Sequence, residues 1–231
     1  MPNRSPRLPG SPAPRPPRSP APLRVLIADD HTVVRQGLRQ IVERGFGAAA
    51  FAEARDAQEA LAHVRKTPWD VAILDVSMPG RSGLDIIKDV KQLRPKLPVI
   101  VLSMYSEEQY AERALKSGAS GYITKEKAAE ELIEAIKKVL KGGRYVSAAL
   151  AERLAFQLGQ DEEEKPHEAL SAREYEVFRL IASGKKPAAI AKTLHLSVKT
   201  VNTYRERVLE KMGLKSTVEL VRYAIQNKLV E

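Results

Sequence analysis

The sequence predicts two domains of different fold class: a five-stranded, doubly wound α/β domain at residues 23–145 and an all-α domain of four helices at residues 166–231. Short runs of Val, Ile and Leu alternate five times with segments of helical period, and Gly, Pro or Asp residues separate them. Strands that alternate with helices predict a parallel sheet, because each crossover returns the chain to the same edge. Beyond residue 166 only helical periodicity remains, which predicts the second domain.

The five predicted strands are short and apolar, as expected for strands buried on both faces of a parallel sheet. They are expected at Val25–Ala28, Ala48–Glu53, Val71–Asp75, Pro98–Ser103 and Gly121–Thr124. The second is the poorest candidate because it is rich in alanine. The third ends on a carboxylate and is followed by a Pro-Gly turn, which places its last residue at the sheet edge.

Five helices are expected between and after these strands. They are predicted at His31–Arg44, Asp56–Lys66, Ser82–Arg94, Glu107–Ser117 and Ala128–Leu140. Apolar residues recur at spacings of three and four, which is typical of a helix with one buried face. Asp56 is expected to cap the second helix, and Gly45 is expected to end the first.

The segments outside the two domains differ from them in composition. Residues 1–22 are dense in proline and carry four Arg and no acid, which predicts a disordered, polyproline-like extension. Residues 146–165 are acidic and polar towards their end, with a net charge of −3, and are predicted to be a linker. The C-terminal domain carries +5 of the total charge of +9, and a basic segment of this kind suggests a nucleic-acid partner.

The composition also excludes several classes of protein. With no cysteine, the chain has no disulfide framework and no Cys-based zinc site. It has no run of eighteen apolar residues, so we expect no transmembrane helix and no membrane partner. A cysteine-free chain whose first residues lack the apolar region of a signal peptide is expected in the cytoplasm.

Three carboxylates are predicted to converge at one edge of the sheet. Asp29 and Asp30 follow the first strand, and Asp75 ends the third. Open parallel sheets bind ligands at the carboxyl ends of their strands. Because like charges repel, such a cluster is costly unless a cation neutralises it, and hard oxygen ligands suit Mg²⁺. Asp75 alone would be interpreted as a turn residue, and the second acidic strand end argues against that.

The next two strand ends supply groups that suit a phosphoryl ligand. Ser103 ends the fourth strand with a hydroxyl donor, and Lys125 follows the fifth with an ammonium that can pair with an anion. Taken alone, the serine would be a helix cap and the lysine a solvated charge. Five such residues at the strand ends of one sheet edge are hard to assign to chance.

These residues, together with the Met-Pro-Gly turn after the third strand, resemble the bacterial response-regulator receiver domain, which has the flavodoxin/CheY-like fold. The resemblance covers the whole predicted α/β domain. It implies that Asp75 is the phosphoacceptor and that a sensor histidine kinase modifies it. It also implies a Mg²⁺ ion held by Asp30, Asp75 and the backbone carbonyl of Ser77, with Asp29 assisting indirectly.

The resemblance further implies a switch. Ser103 would move to bond the phosphoryl group, Lys125 would neutralise it, and Tyr122 would turn inward into the vacated space. A tyrosine at this point of a strand is otherwise an ordinary half-buried aromatic. Glu126 follows Lys125 where many receivers have proline, which makes a cis peptide there less expected. The surface of the fourth helix, fifth strand and fifth helix would change shape, and in this family it often mediates dimerisation.

The C-terminal segment has the caps of four short helices. Ser171 and Glu174 form a capping box at the first, and Ser197 caps the third, Val198–Met212, which is rich in Lys and Arg. Two short helices around a tight turn, the second of them basic, indicate a helix-turn-helix. A small helical bundle with a solvated basic face is the alternative.

The motifs LSAREYEV, GxxPAAIAKTL, LSVKTVNTYRERVLEKMGL and ELVRYAI are similar to the LuxR-type DNA-binding domain, and the third of them contains its recognition helix. The candidates for reading base edges are Lys199, Asn202, Thr203 and Glu206. The candidates for phosphate contacts are Thr200, Tyr204, Arg207, Lys211 and Lys215. A dimer contact is expected from the last helix through Val218, Val221 and Ile225. The scaffold helix departs from the family, since Pro187-Ala-Ala stands where a polar triplet is usual.

Together the two resemblances imply a two-component response regulator of the NarL/FixJ type, not an enzyme. Phosphorylation would promote a homodimer on double-stranded promoter DNA, with RNA polymerase as a further partner. An enzyme with an aspartyl intermediate usually has a second acid two residues after its nucleophile, where this chain has Ser77. Nucleotide-binding enzymes of this fold need a Gly-rich first turn, which Asp29-Asp30-His31 does not offer. A phosphorylation-independent receiver is the third alternative, and the intact acidic set argues against it.

Overall fold

The computed structural model describes residues 22–157 and 165–230. Apart from Pro22, the predicted N-terminal extension lies outside the described residues, as do residues 158–164 of the predicted linker. No helix in the described ranges combines the length and the apolar character needed to cross a membrane.

The α/β domain contains the predicted five-stranded sheet. Its strands are β1 (Leu23–Ala28), β2 (Ala49–Ala54), β3 (Val71–Asp75), β4 (Val99–Ser103) and β5 (Gly121–Thr124). All pairs are parallel and the order is β2-β1-β3-β4-β5, so the doubly wound topology is confirmed. Every residue of β3 and β4 is buried, which explains their unbroken apolar runs.

Five helices cover the two faces of this sheet. They are α1 (Thr32–Phe46), α2 (Ala57–Lys66), α3 (Gly83–Leu93), α4 (Glu107–Lys116) and α5 (Ala128–Leu140). Helices α1 and α5 pack together on one face, and α2, α3 and α4 lie on the other. Asp56 and Ser82 cap α2 and α3 by accepting bonds from backbone amides, as expected for these residue types.

The predicted end of α1 at Gly45 is wrong. The helix continues to Phe46 and ends at Gly47, whose φ of 75° is the left-handed conformation that favours glycine. Gly45 has a different role, because a Cβ atom there would lie 2.3 Å from Cδ1 of Ile133 on α5. The first glycine therefore permits close packing of two helices, and the second ends the helix.

The segment predicted to be a linker contains a helix. Helix α6 (Ala148–Gln157) follows a short bridge between Tyr145 and Gly121 and packs against α4. Leu150 is buried in this contact region, and the Ser147 amide donates to the Glu107 carboxylate at 2.9 Å. Part of the connection between the domains is therefore integrated into the α/β domain.

The C-terminal domain has the four predicted helices. They are α7 (Ala172–Ala182), α8 (Pro187–Thr193), α9 (Val198–Lys211) and α10 (Thr217–Gln226). Both halves of the Ser171–Glu174 capping box are present, and Ser197 caps α9. His195, in the turn before α9, has a φ of 53°. The apolar core of this domain is continuous with the α2–α4 side of the sheet, so the two domains are packed together.

Candidate functional site

The predicted carboxylates meet at the carboxyl edge of the sheet. Asp29 directly follows β1 and Asp75 ends β3, and these strands are neighbours in the sheet. Ligand atoms from Asp29, Asp30, His31 and Asp75 lie within 4.8 Å of one another. Asp29 is 1% exposed and Asp75 is 2% exposed, so their charges are largely removed from water.

Lys125 joins two of these carboxylates. Its Nζ lies 2.7 Å from Asp29 Oδ2 and 2.9 Å from Asp75 Oδ2. Burial raises the pKa of Asp75, and the Lys125 charge opposes that shift. Although burial opposes the ammonium charge, the two carboxylates raise the pKa of Lys125. The lysine is therefore held charged at the point where an added anion on Asp75 would need a partner.

The remaining oxygens fit a hard divalent cation. Asp75 Oδ1 is buried and has no hydrogen-bond partner of good geometry among the described residues. The Asp30 carboxylate lies beside it, within the same 4.8 Å group. A donor set of carboxylate oxygens and a backbone carbonyl is the one that Mg²⁺ prefers. Asp30, Asp75 and the Ser77 carbonyl are thus chemically suited to hold Mg²⁺.

Two residues that support this edge were not predicted as part of the site. Gly83 opens α3 so close to β3 that a Cβ there would lie 2.0 Å from the Asp75 carbonyl oxygen. Arg35, buried on α1, donates to the Asp29 carbonyl at 2.8 Å and to Glu53 at 2.8 Å. Arg35 shares the buried face of α1 with Leu38 and Val42, and a charged residue on that face was the available signal.

His31 is a third residue not assigned to the site from the sequence. Its Nδ1 lies 2.8 Å from Asp30 Oδ1 and 3.3 Å from Asp29 Oδ1, while its side chain is 62% exposed. Its backbone amide also donates to Asp29 Oδ1 at 2.8 Å. His31 therefore lines the mouth of the acidic pocket and orients the carboxylate behind it.

Ser103 and Tyr122 are joined through Tyr105. The Tyr105 amide donates to Ser103 Oγ at 3.0 Å, and the Tyr122 hydroxyl donates to the Tyr105 carbonyl at 2.9 Å. Tyr122 is 2% exposed, and burial raises its pKa. The Tyr122 ring therefore lies inside the domain in this structure, and the movement of Ser103 and Tyr122 on phosphorylation stays a prediction.

The predicted base-reading residues lie on the outer side of α9. Lys199, Thr203 and Glu206 are exposed and Asn202 is half-buried, while Val201 and Val208 face the core. Ser197 accepts a bond from the Thr200 amide, which fixes the start of the helix. The helix therefore presents one polar face, as a groove-binding helix requires.

The predicted phosphate contacts differ in how accessible their side chains are. Arg207 and Lys215 are exposed, and Thr200 and Tyr204 are half-buried. Lys211 instead places its Nζ 2.6 Å from Glu174 Oε2 on α7. Lys211 therefore forms an ion pair between α9 and α7, which its position in α9 did not indicate.

The last helix keeps an apolar face uncovered. Val218 is 77% exposed and Ile225 is 59% exposed, while Val221 between them is half-buried. Leu220 and Ala224 on the opposite side are fully buried. The predicted dimer-contact residues are thus available at the surface of α10.

Comparison with known families and sequences places both parts of the chain. Residues 25–137 match the family described as the response regulator receiver domain, and residues 168–224 match bacterial regulatory proteins of the luxR family. Response regulator GacA of Pseudomonas protegens is 35% identical over 209 residues, which are 90% of this chain and 98% of that protein. Response regulator UvrY of Escherichia coli is 34% identical over 208 residues, covering 90% and 95%.

Solved structures of response regulators are also similar. RcsB from Salmonella enterica serovar Typhimurium, bound to promoter rprA with the phosphomimetic BeF3-, is 29% identical with a TM-score of 0.56, covering 87% of this chain and 98% of that one. A LuxR-family two-component response regulator from Aurantimonas sp. SI85-9A1 is 34% identical with a TM-score of 0.55, covering 61% and 100%.

Proposed function

Because this chain belongs to the two-component response regulators that join a receiver domain to a LuxR-type DNA-binding domain, we propose that phosphorylation of Asp75 switches its activity as a transcription regulator. The observation that carries this proposal is the Lys125 ammonium between the Asp29 and Asp75 carboxylates. It supplies a cation, only 12% exposed, next to the carboxylate that ends the central strand β3. The family consists of DNA-binding regulators and is not typically enzymatic.

The phosphoryl donor we propose is the phosphohistidine of a sensor histidine kinase. A carboxylate oxygen of Asp75 bonds to phosphorus as the phosphorus–nitrogen bond breaks, and the histidine nitrogen leaves with the electron pair. Lys125 then pairs with the added negative charge, and Ser103 offers its hydroxyl. The transfer therefore needs no general acid from outside this pocket.

Mg²⁺ is the proposed cofactor. Asp30, Asp75 and the Ser77 carbonyl would hold it, and Asp29 would act indirectly because its Oδ2 already pairs with Lys125. The ion would neutralise phosphoryl oxygens as they approach the acidic pocket. The chain's own residues orient Asp75, through the α3 contact at Gly83, and restrain the β1–α1 loop through Arg35.

The proposed output is sequence-specific binding of double-stranded promoter DNA by a homodimer, with RNA polymerase as a further partner, in the cytoplasm. The exposed face of α9 supports the DNA contact, and the exposed apolar face of α10 supports the dimer. The proposal of DNA binding is supported by RcsB, a similar protein that was solved bound to promoter rprA in the presence of the phosphomimetic BeF3-. We place the receiver at 23–145, the connecting segment at 146–165 and the DNA-binding domain at 166–231.

The test is a DNA-shift experiment on genomic fragments with and without beryllofluoride and Mg²⁺. When beryllofluoride is added, wild type should gain affinity for a subset of fragments and form dimers. Asp75→Ala should show neither change. Circular dichroism of the Asp75→Ala protein checks that it is folded. The proposal is wrong if beryllofluoride changes neither oligomeric state nor DNA affinity of the wild type.

A further inference from the structure

Helix α7 of the DNA-binding domain reaches the loop that follows the acceptor strand. Arg173 Nη2 donates to the Met78 carbonyl at 3.2 Å, and Glu176 Oε1 lies 3.5 Å from Ser77 Oγ. Arg173 is 2% exposed and Glu176 is 0% exposed. Ser77, whose backbone carbonyl is proposed to bind Mg²⁺, is therefore contacted through its side chain by the DNA-binding domain.

These two side chains form one rigid unit anchored in the DNA-binding domain. Arg173 Nη1 lies 2.6 Å from Glu176 Oε2, and Arg173 Nη2 also donates to the Leu194 carbonyl at 2.9 Å. Burial raises the pKa of Glu176 to about 7, although Arg173 opposes the shift. A buried ion pair with extra hydrogen bonds has a defined geometry, so it can fix the position of the loop it contacts.

A second route leads from α7 to the switch serine. The Tyr175 ring packs against Tyr110 at a centroid distance of 5.4 Å, and Tyr110 stacks on Tyr105 at 4.5 Å. The Tyr105 amide donates to Ser103 Oγ, the hydroxyl proposed above to bond the phosphoryl group. The ring contacts thus connect α7 to Tyr105, the residue whose amide holds the Ser103 hydroxyl.

The same packing leaves the predicted base-reading face uncovered. Lys199, Thr203 and Glu206 stay exposed while α7 contributes the buried contacts. The contact between the domains therefore acts on the acceptor edge more directly than on the DNA-reading side chains.

We propose that Arg173 and Glu176 are positioning residues for the acceptor site, through which the packed DNA-binding domain lowers the affinity of Asp75 for a phosphoryl group. The proposal rests on the function proposed above. Coupling of this kind is reciprocal. A ligand that separates α7 from the loop tightens phosphoryl binding, and a phosphoryl group on Asp75 tightens the binding of that ligand by the same factor. The DNA-binding domain then regulates the receiver, in addition to responding to it.

The test uses the full chain and titrates beryllofluoride at saturating Mg²⁺, with binding followed by ¹⁹F NMR. The variants are Ser77→Ala, which removes the receiver-side hydroxyl and keeps the carbonyl, and Glu176→Gln, which removes the charge paired with Arg173. Each should bind beryllofluoride about fivefold more tightly than wild type, the low end of typical coupling between sites. The double variant should gain no more than the stronger single variant, because both changes remove one contact.

Two control variants separate positioning from general loosening of the structure. Ser77→Thr keeps the hydroxyl and should return wild-type affinity. Lys116→Gln breaks a contact at the rim between the domains, where Lys116 Nζ lies 3.0 Å from Glu168, and should leave the affinity within twofold. Circular dichroism of each variant checks folding, and Ser77→Ala leaves the DNA-binding domain unaltered.

The outcomes distinguish this inference from the proposed function. If wild type binds beryllofluoride through Asp75, and Ser77→Ala and Glu176→Gln both bind it with unchanged or weaker affinity, the positioning role is wrong and the proposed function stands. If wild type does not bind beryllofluoride at all, the proposed function fails and the inference fails with it.

Discussion

The sheet edge around Asp75 (here the acceptor edge, formed by Asp29, Asp30, Asp75, Ser103 and Lys125) and the helix α9 are both suited to phosphate groups. They differ in whether their charges are buried and paired or exposed to solvent. At the acceptor edge, buried carboxylates share the ammonium of Lys125, whereas Arg207 and Lys215 present their charges at the surface. Buried charges interact strongly and depend on every partner, while exposed charges are screened by salt. Single changes at the acceptor edge should therefore have large, non-additive effects, and changes on α9 should have smaller effects that sum.

The largest effect is expected from Lys125→Met. Without the ammonium, the added anion meets two carboxylates and no paired cation; losing one partner of such a charge pair costs binding about 3 kcal/mol, so beryllofluoride affinity should fall by about 100-fold or more. The repelling carboxylates should also lower the Tm in the absence of Mg²⁺, and Mg²⁺ should restore much of it. Binding by isothermal titration calorimetry and Tm by calorimetry measure the two effects.

Lys127→Met is the matched control for this change. Lys127 lies two residues further on, is 60% exposed and is 3.9 Å from Glu131, so its removal should leave beryllofluoride affinity unchanged. Equal affinity in Lys125→Met and wild type would show that the buried ammonium is not a phosphoryl partner, and the contrast between the two regions would disappear.

An intermediate effect is expected on α9. Asn202→Ala should relax sequence preference by about tenfold, since a good base contact is worth about 1–3 kcal/mol of discrimination. Lys211→Ala should change sequence preference little and should lower the Tm, because it leaves Glu174 without its 2.6 Å partner. Competition DNA-shift assays with mutated sites measure preference, and equal loss of preference in both variants would contradict the assignment of Asn202.

The smallest effect is a pH dependence centred on His167. Burial lowers the pKa of His167 to about 4, and its Nδ1 lies 2.8 Å from the Tyr223 hydroxyl. Below about pH 6.5 the unfolded chain binds a proton at His167, whereas the folded protein does so only near pH 4. The free energy of unfolding therefore decreases as the pH falls from about 6.5 to 4. His167→Gln should flatten the fall in Tm over that range, and an unchanged slope relative to wild type would contradict the prediction.

The sequence predicted which side chains lie at one sheet edge because parallel strands end on a common edge, and their roles in phosphoryl binding stay predictions. The positions of Asp29, Asp75, Ser103 and Lys125 in space follow from strand order alone once the alternation of strands and helices is recognised. Helix boundaries in both domains were predicted to within a residue or two where a capping side chain marked them. The helix end predicted at Gly45 was wrong because a glycine in a helix can serve packing as well as termination.

The features that were not predicted depend on contacts between distant segments. The buried position of Arg35 needs Glu53 on β2, and the burial of Tyr122 needs Tyr105 on the loop after β4. The Arg173–Glu176 pair is buried beside the loop after β3, where it contacts Ser77 and Met78. Propensity and spacing report the local chain, and such residues are defined by the surface that packs on them.

The helix found in the predicted linker has a practical consequence for dissecting the protein. A receiver fragment cut at residue 145 would lose α6, and with it the packing against α4 and the bond between the Ser147 amide and Glu107. Apolar surface bared in this way promotes aggregation of a truncated domain. Fragments and domain-swap chimeras that extend through residue 157 keep this cover, and they are the sound choice for expressing the receiver alone.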